Sequence, residues 1–398
     1  MSANHALVFG ASGITGWAVV NQIVARGYPS PETFASVTAL TNRPLSPEAS
    51  QWPPSPKLDV VSGVDVLNPG GQAALEEEMG RRVGRIGDVT HVYFFAYVMD
   101  PDPEKEVSVN RTLLSRAVRA VEALSPNLRF VVLPTGTKAY GVHLLREGFP
   151  FSRDLPLKES LPRVPEPHAS RMFYYGQCDE MEDMARGKSW GWCEVVPDVV
   201  VGFVPNNNVY SLAQWLGLYL SLVREIEGEG AEVVFPGTRR SWAALSNDAS
   251  QDVLARAAIA ASLRPGKAGS GERYNVADCA RPRAWRDKWP VVCAYFGLKG
   301  TGPPEEEGAH GPDPAEVLAG NVERWREVEE KYGLVTGRVG NERSFGGFPV
   351  FIMRMFDFDR HLDVTKLHGL MGDEADDVDI KGAWYTAFDR YRKAKIIP

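Results

Sequence analysis

The sequence predicts an α/β fold: a doubly wound parallel sheet, with a smaller substrate-binding part toward the C-terminus. Three observations carry that reading. Apolar runs alternate with helical spacing about five times across residues 1–136, the pattern of βα units feeding a parallel sheet. The runs are apolar almost throughout, as strands buried on both faces are. A glycine-spaced loop, "VFGASGITG", joins the first run to the first helical stretch.

Taken in order, "HALVFG" predicts the first strand and "WAVVNQIVARG" a helix ending at Gly27. "ASVTALTNR", "LDVVSGVD" and "VTHVYFFAYV" predict strands two to four, with a helix at "GGQAALEEEMGRRVG" before the fourth. "VNRTLLSRAVRAVEAL" predicts a helix and "LRFVVLPTG" strand five. Beyond these, "FYYGQCDEMEDMARG" predicts a helix and "WCEVVPDVVVG" a sixth strand with a proline-marked exit. Later strands are expected at "AEVVFPG" and "ERYNVAD", separated by the helical "SQDVLARAAIAASL". A Gly/Pro/Glu-rich surface loop covers residues 300–315, before the helical "EVLAGNVERWREVEEKYG" and the Phe/Met-rich "FGGFPVFIMRMFDFD". The expected division is a dinucleotide-binding core over 1–200 and a mainly substrate-binding or lid region over 201–398. Elements near 231–290 are expected to return to the core.

A chain of 398 residues, 44% hydrophobic, is long enough for a large core and two structural units. A net charge of −7 without a basic block argues against a nucleic-acid surface. The four cysteines, Cys178, Cys193, Cys279 and Cys293, show no CxxC spacing, so neither a zinc site nor a redox pair is signalled. No secretory signal precedes the first strand. The most apolar helical stretch, "VYSLAQWLGLYLSLV", is too short for a membrane span and carries Gln214. A soluble cytoplasmic protein with no membrane span is the expectation, with a homodimer as its one macromolecular association.

Gly10-x-x-Gly13-x-x-Gly16 directly follows strand one and opens helix one, the context a Rossmann dinucleotide site requires. One glycine permits the tight turn, one lets backbone approach a pyrophosphate, and one lets helix and strand pack closely. The helix N-terminus offers unpaired N–H groups to the phosphates, so Ser12 and Ile14 join the glycines as cofactor contacts. The end of strand two carries Thr41, Asn42 and Arg43, where an NAD site places an acid. Arginine forks onto a 2′-phosphate, so Asn42 and Arg43 predict NADPH; a solvated surface arginine is the alternative. Asp65 and Val66, ending strand three, are candidates for the adenine, against a purely turn-forming Asp65.

Glycine spacing of this kind resembles the short-chain dehydrogenase/reductase group, whose usual signature is Tyr-x-x-x-Lys. That signature occurs at Tyr295…Lys299 and Tyr391…Lys395, both too far along the chain to reach a nicotinamide. At the carboxyl ends of the strands stand instead "TGTKAY" (Thr135–Tyr140) and "MFYYGQCDE" (Met172–Glu180). Together these segments resemble the TG-x-K-x-Y and NFYY-x-x-ED stretches of the progesterone 5β-reductase/iridoid synthase-like family of atypical reductases. "VVPDVVVGFVPNNN" is similar to that family's strand and loop over the nicotinamide, and "DRYRKAKIIP" to its C-terminal ending. Met172 in place of asparagine, and "GQCDE" without the acidic pair in register, depart from the pattern beside the substrate.

The resemblance places the catalytic lysine at Lys138 and the catalytic tyrosine at Tyr175, the second of the pair. Tyr174 is then a packing or substrate-bordering residue, and the choice between the two tyrosines stays open. Pro197, Val199 and Val200 fall on the nicotinamide-covering strand. The implied chemistry is hydride delivery from NADPH to the β-carbon of an enone or enal. A phenol with an ordinary pKa of ~10 would hydrogen-bond the developing enolate, with Lys138 depressing that pKa. The same pair would serve reduction of a ketone or aldehyde. A non-redox cyclase and an NADP-binding regulator are the readings from other classes. Phe203, Asn206–Asn208 and Trp242 are further substrate-binding candidates, with a plain loop turn the alternative at 206–208, and His143 is a remaining proton-donor candidate. Phe348–Phe358 is either an apolar lid, implying a hydrophobic small-molecule carbonyl substrate, or plain core.

Overall fold

In the computed structural model, the structure describes residues 3–341, 347–375 and 377–398. Eleven strands occur among them: β1 (Asn4–Phe9), β2 (Phe34–Thr41), β3 (Leu58–Ser62), β4 (His91–Phe94), β5 (Phe130–Pro134), β6 (Gly191–Pro197), β7 (Val199–Val201), β8 (Glu232–Val234), β9 (Asp248–Ser250), β10 (Ser270–Val276) and β11 (Lys299–Thr301). Seven form one parallel sheet in the order β10-β6-β5-β4-β1-β2-β3. The chain runs outward from β1 through β2 to β3, then crosses back to place β4 against the other side of β1. That reversal opens a crevice beyond the carboxyl ends of β1 and β4, where ligands bind in such sheets.

β1 shows why its sequence is apolar without alternation. Ala6 and Val8 enter one buried cluster, whereas Leu7 and Phe9 enter another on the opposite face. Helices Gly71–Arg82, Pro103–Leu124 and Phe173–Ala185 pack over the second face, and Ile14–Asn21 and Gln251–Ser262 pair over the first. At roughly 25 cal/mol per Å² of apolar surface, burial on both faces drives the sheet together. The first cluster continues without a break into the C-terminal half, through Trp289, Trp325 and Trp384. The chain passes residue 200 inside β7, and β10 returns to the sheet edge beside β6.

Three local expectations need correction. "WCEVVPDVVVG" is two strands: Asp198 interrupts it, and β7 leaves the main sheet to pair with β9. "AEVVFPG" gives β8, which pairs with β11 in a separate two-stranded ribbon. "EVLAGNVERWREVEEKYG" is two helices, Pro314–Gly320 and Val322–Tyr332, broken where Asn321 leaves helical geometry at φ −128. Among the described residues no helix is long and apolar enough to cross a membrane.

Candidate active site at the carboxyl edge of the sheet

The glycine loop is built for close approach. Gly10 has φ +71, and a Cβ there would lie 2.5 Å from the Phe95 carbonyl oxygen. A Cβ on Gly16 would lie 2.4 Å from the Gly10 carbonyl oxygen, so strand and helix pack at glycine distance. Gly13 N–H donates to the Gly10 carbonyl (2.9 Å) and Gly13 begins the helix with no side-chain cap, leaving the first-turn N–H groups for a ligand. Gly13, Ile14 and Gly16 line a cavity of about 340 Å³, and Ser12 is buried within the loop.

Lys138 and Tyr174 line the same cavity as that loop. Lys138 sits in a tight turn, Thr137–Tyr140, directly after β5. The turn is pinned on both sides of the lysine. Thr137 Oγ1 donates to Asp198 Oδ1 (2.9 Å), and the buried Tyr140 hydroxyl donates to Asn275 Oδ1 (2.7 Å). Thr135, earlier in the chain, donates to Glu194 Oε1 (2.6 Å), and Glu194 Oε2 accepts from Arg273 Nε (2.6 Å). Lys138 itself has no ion-pair partner among the described residues, so its charge is left for whatever enters the cavity.

The structure separates the two tyrosines, Tyr174 lining the cavity and Tyr175 lying outside it. Consecutive helix residues point about 100° apart, so only one of the pair faces the cavity. Phe173, Tyr174 and Gln177 form the cavity face. The Tyr174 hydroxyl lies 3.3 Å from where a Cβ on Gly136 would stand, so glycine there makes room for the phenol. Tyr175 is buried on the other side, where its hydroxyl donates to the Ala139 carbonyl (2.6 Å) and accepts from Val164 N–H (2.9 Å). The Arg163 guanidinium lies 4.8 Å from the Tyr175 ring centre. Tyr175 braces the backbone of the Lys138 turn and does not reach the cavity.

The expected depression of the tyrosine pKa by lysine is also corrected. Burial, reinforced by Glu106, Tyr210 and Glu194, pushes Tyr174 above its ordinary value. Burial likewise raises Tyr175. Burial first, then Lys138 and His168, lower the pKa of His143 to about 4, and it does not line the cavity.

Pro197, Val199 and Val200 line the cavity as expected, together with Asp198. Asp198 pairs with Arg360 (3.0 Å) deep in the interior; burial raises its pKa and the guanidinium opposes that rise. Arg360 in turn lies 4.2 Å over the Phe356 ring, tying the C-terminal aromatic segment to this strand. From that segment Phe348, Phe351, Ile352 and Phe356 line the cavity, so this part of Phe348–Phe358 is its roof. Phe358 packs away from it, on Phe149 (5.1 Å).

The other substrate candidates lie elsewhere. Phe203 is fully buried between Trp17 and Tyr391, each 5.0 Å away. Trp242 packs on Phe235 (5.1 Å), outside the cavity. Asn206 lies with Arg43 in a separate cleft at the end of β2. Asn42 is exposed beside it, Val66 is buried, and Asp65 Oδ1 accepts from Leu67 N–H (2.9 Å) in the turn after β3. The rejected tyrosines are remote, Tyr295 bonding Asp389 and Tyr391 bonding Ser211.

Asn208, expected with Asn206 and Asn207 beside the pocket, lines the cavity, and sequence reasoning missed Tyr97, Phe173, Gln177 and Tyr210, which line it too. Tyr97 stacks on Phe173 (5.1 Å) and meets Tyr210 edge-on (6.1 Å), forming an aromatic flank. The signal for Tyr97 was available: it follows β4, the strand bordering the crevice. No cluster able to hold a metal occurs among the described residues.

A model of the PRISE-like Rossmann-fold domain matches residues 6–398, and the chain belongs to that family. It is 35% identical over 401 residues to the short chain dehydrogenase ausT of Aspergillus calidoustus, covering 99% of this chain and 94% of that protein. It is 24% identical to the 3-oxo-Delta(4,5)-steroid 5-beta-reductase of Arabidopsis thaliana, covering 81% of this chain and 78% of that protein. In fold it resembles the UDP-N-acetylglucosamine 4-epimerase of Methanobrevibacter ruminantium, with TM-score 0.61, 12% identity and 99% of both chains covered. The protein is an oxidoreductase of the short-chain dehydrogenase/reductase class, with a glycine loop built for a nicotinamide dinucleotide.

Proposed function

We propose that the protein is an NADPH-dependent reductase of an activated C=C bond in a hydrophobic carbonyl compound of specialised metabolism. The observation that carries this reading is that Lys138 and Tyr174 line one aromatic-rich cavity together with the glycine loop. The cofactor, when bound, supplies hydride. Tyr174 donates a hydrogen bond to the substrate carbonyl oxygen, where negative charge develops as the β-carbon is reduced. Its raised pKa keeps it a donor at neutral pH. Lys138 adds an unpaired cation beside that oxygen, and the aromatic walls exclude water, strengthening both interactions. The α-carbon then takes its proton from solvent, completing addition of hydride and proton across the double bond. The Arabidopsis relative, named as a steroid 5-beta-reductase, supports this chemistry. NADPH is favoured by Arg43, which follows β2 where no acid stands.

A second reading, reduction of a ketone or aldehyde, is supported by the same phenol, which is placed to protonate an alkoxide, and by the dehydrogenase name of the Aspergillus relative. The test uses 4-deuterated NADPH with a panel of enones and enals, read by mass and NMR. Deuterium at the β-carbon is the expected result. Deuterium at the carbonyl carbon moves the reaction to the second reading, and no transfer from a tightly bound cofactor sinks both.

A further inference from the structure

Asp198 stands where the expected sixth strand breaks: β6 ends at Pro197 and β7 begins at Val199. Its side chain is 2% exposed, and both of its oxygens are engaged. Oδ1 accepts from Thr137 Oγ1 (2.9 Å), and Oδ2 faces Nε of Arg360 (3.0 Å), whose side chain is 3% exposed. The Arg360 contact is a pairing of charges without the alignment of a hydrogen bond. Arg360 is itself held in place, its backbone N–H on the Leu245 carbonyl (2.9 Å) and its guanidinium over the Phe356 ring.

A buried ion pair adds little stability over apolar side chains of the same volume, because desolvation offsets the attraction. Here the pair keeps a charged acceptor inside the protein, and that acceptor takes the hydroxyl of the residue directly before Lys138. A bond to an ionised acceptor is roughly twice as strong as one between neutral groups. The turn's own bonds, Ala139 N–H to the Gly136 carbonyl (2.8 Å) and Gly141 N–H to the Lys138 carbonyl (2.9 Å), set its curl but not its place above the sheet. Thr135 has a similar relay through Glu194 and Arg273, but Gly136, a permissive backbone link, separates it from the lysine's side of the turn. The bond from Thr137 therefore holds the lysine most directly.

We propose that Asp198 and Arg360 are positioning residues for Lys138: acting through Thr137, they set where the lysine's charge stands against the substrate carbonyl. With both oxygens engaged, Asp198 acts through Thr137 and not on the substrate. The proposal rests on Lys138 serving the reaction, and it gives that lysine a support contributed by the break between β6 and β7 and by a residue far along the chain.

The experiment is steady-state kinetics of the full chain with NADPH and the enone or enal it reduces fastest, with NADPH affinity measured by calorimetry. Thr137→Val should lower kcat about tenfold, the scale of a displaced reacting group, with KM and NADPH affinity within about twofold, and Thr137→Ser should restore most of it. In a Lys138→Met background the same substitution should cost less than about twofold, because the group it positions is gone. Asp198→Leu/Arg360→Met and Asp198→Asn/Arg360→Met each remove both buried charges together, so neither strands one. Only the second keeps an acceptor for Thr137, and its kcat should exceed that of the first by about fivefold or more. Equal kcat in the two double variants, or a Thr137→Val effect undiminished without the lysine, overturns the proposal and leaves Lys138 in the reaction. A Thr137→Val protein that melts lower with kcat unchanged makes the pair structural and overturns it too. If Lys138→Met itself leaves kcat unchanged, the reading of Lys138 fails and takes the proposal with it.

Discussion

The floor and the roof of the reaction cavity are built on different principles. The floor carries Lys138 on a turn after β5 that bonds Asp198 and Asn275, and Tyr174 on the helix Phe173–Ala185, which Tyr175 ties by hydrogen bonds to Ala139 of that turn and to Val164. The roof, Phe348–Phe356, is two short helical turns whose cavity-lining aromatics pack as rings, Phe351 on Phe356 at 4.6 Å and Phe348 on Tyr210 at 5.5 Å. Directional bonds hold a reacting group in place, whereas ring packing excludes water and adapts to shape. The floor should therefore govern kcat and the roof KM.

The sharpest test separates the adjacent tyrosines. Tyr174→Phe removes the donor aimed at the developing oxyanion, and kcat should fall about 10²–10³-fold with cofactor affinity unchanged. Tyr175→Phe should leave kcat near wild type. It strands the buried Val164 N–H and Ala139 carbonyl and should cost about 1–3 kcal/mol of stability, read in denaturant melts. The reverse pattern would return the catalytic role to Tyr175. Lys138→Met comes next, with kcat falling about 10²-fold, again without loss of cofactor; a change confined to KM would make the lysine a binding group only.

A smaller effect concerns the floor's pH range. His143 beside Lys138 has its folded pKa lowered to about 4. The unfolded chain, with histidine near 6.5, binds more protons between pH 6.5 and 4, so this group's stability contribution is complete above 6.5 and is lost as pH falls. From pH 7 to pH 5 the loss should be about 2 kcal/mol at most, since His143 is partly exposed. His143→Gln should flatten the acid limb of the melting-temperature profile by that amount. An unchanged profile would remove His143 from the floor's acid sensitivity.

Legibility followed the same division. The sheet, the glycine loop and Lys138 were readable because period, glycine context and strand-end position are local signals. Tyr174 against Tyr175 was not, because the choice depends on the rotation of one helix against β5 and β6, which two identical neighbours cannot report. Phe203 and Trp242 misled because a large aromatic is equally at home in a core. Asn206 was placed near a ligand by its position after the sixth strand, but the departure of β7 from the main sheet carries that loop toward Arg43. The roof was visible as a run of aromatics but not as a register: Phe351 and Phe356 face inward while Phe358 faces Phe149.

The roof yields the smallest predicted effect and the one that most directly tests the division. Phe351 borders the cavity and packs on Phe356, making no hydrogen bond through its side chain to the floor. Phe351→Ala opens space above the substrate without touching Lys138 or Tyr174. For a small cyclic enone, KM should rise about tenfold, the cost of roughly one lost apolar contact, while kcat changes less than about threefold. A substrate carrying an added apolar ring should lose less, or gain, because the enlarged cavity accepts it. Steady-state kinetics on the two substrates gives the result directly. If kcat falls with KM for both, the roof helps to hold the reacting geometry and the separation of floor from roof fails; if only the smaller substrate suffers, size selection belongs to the ring-packed segment.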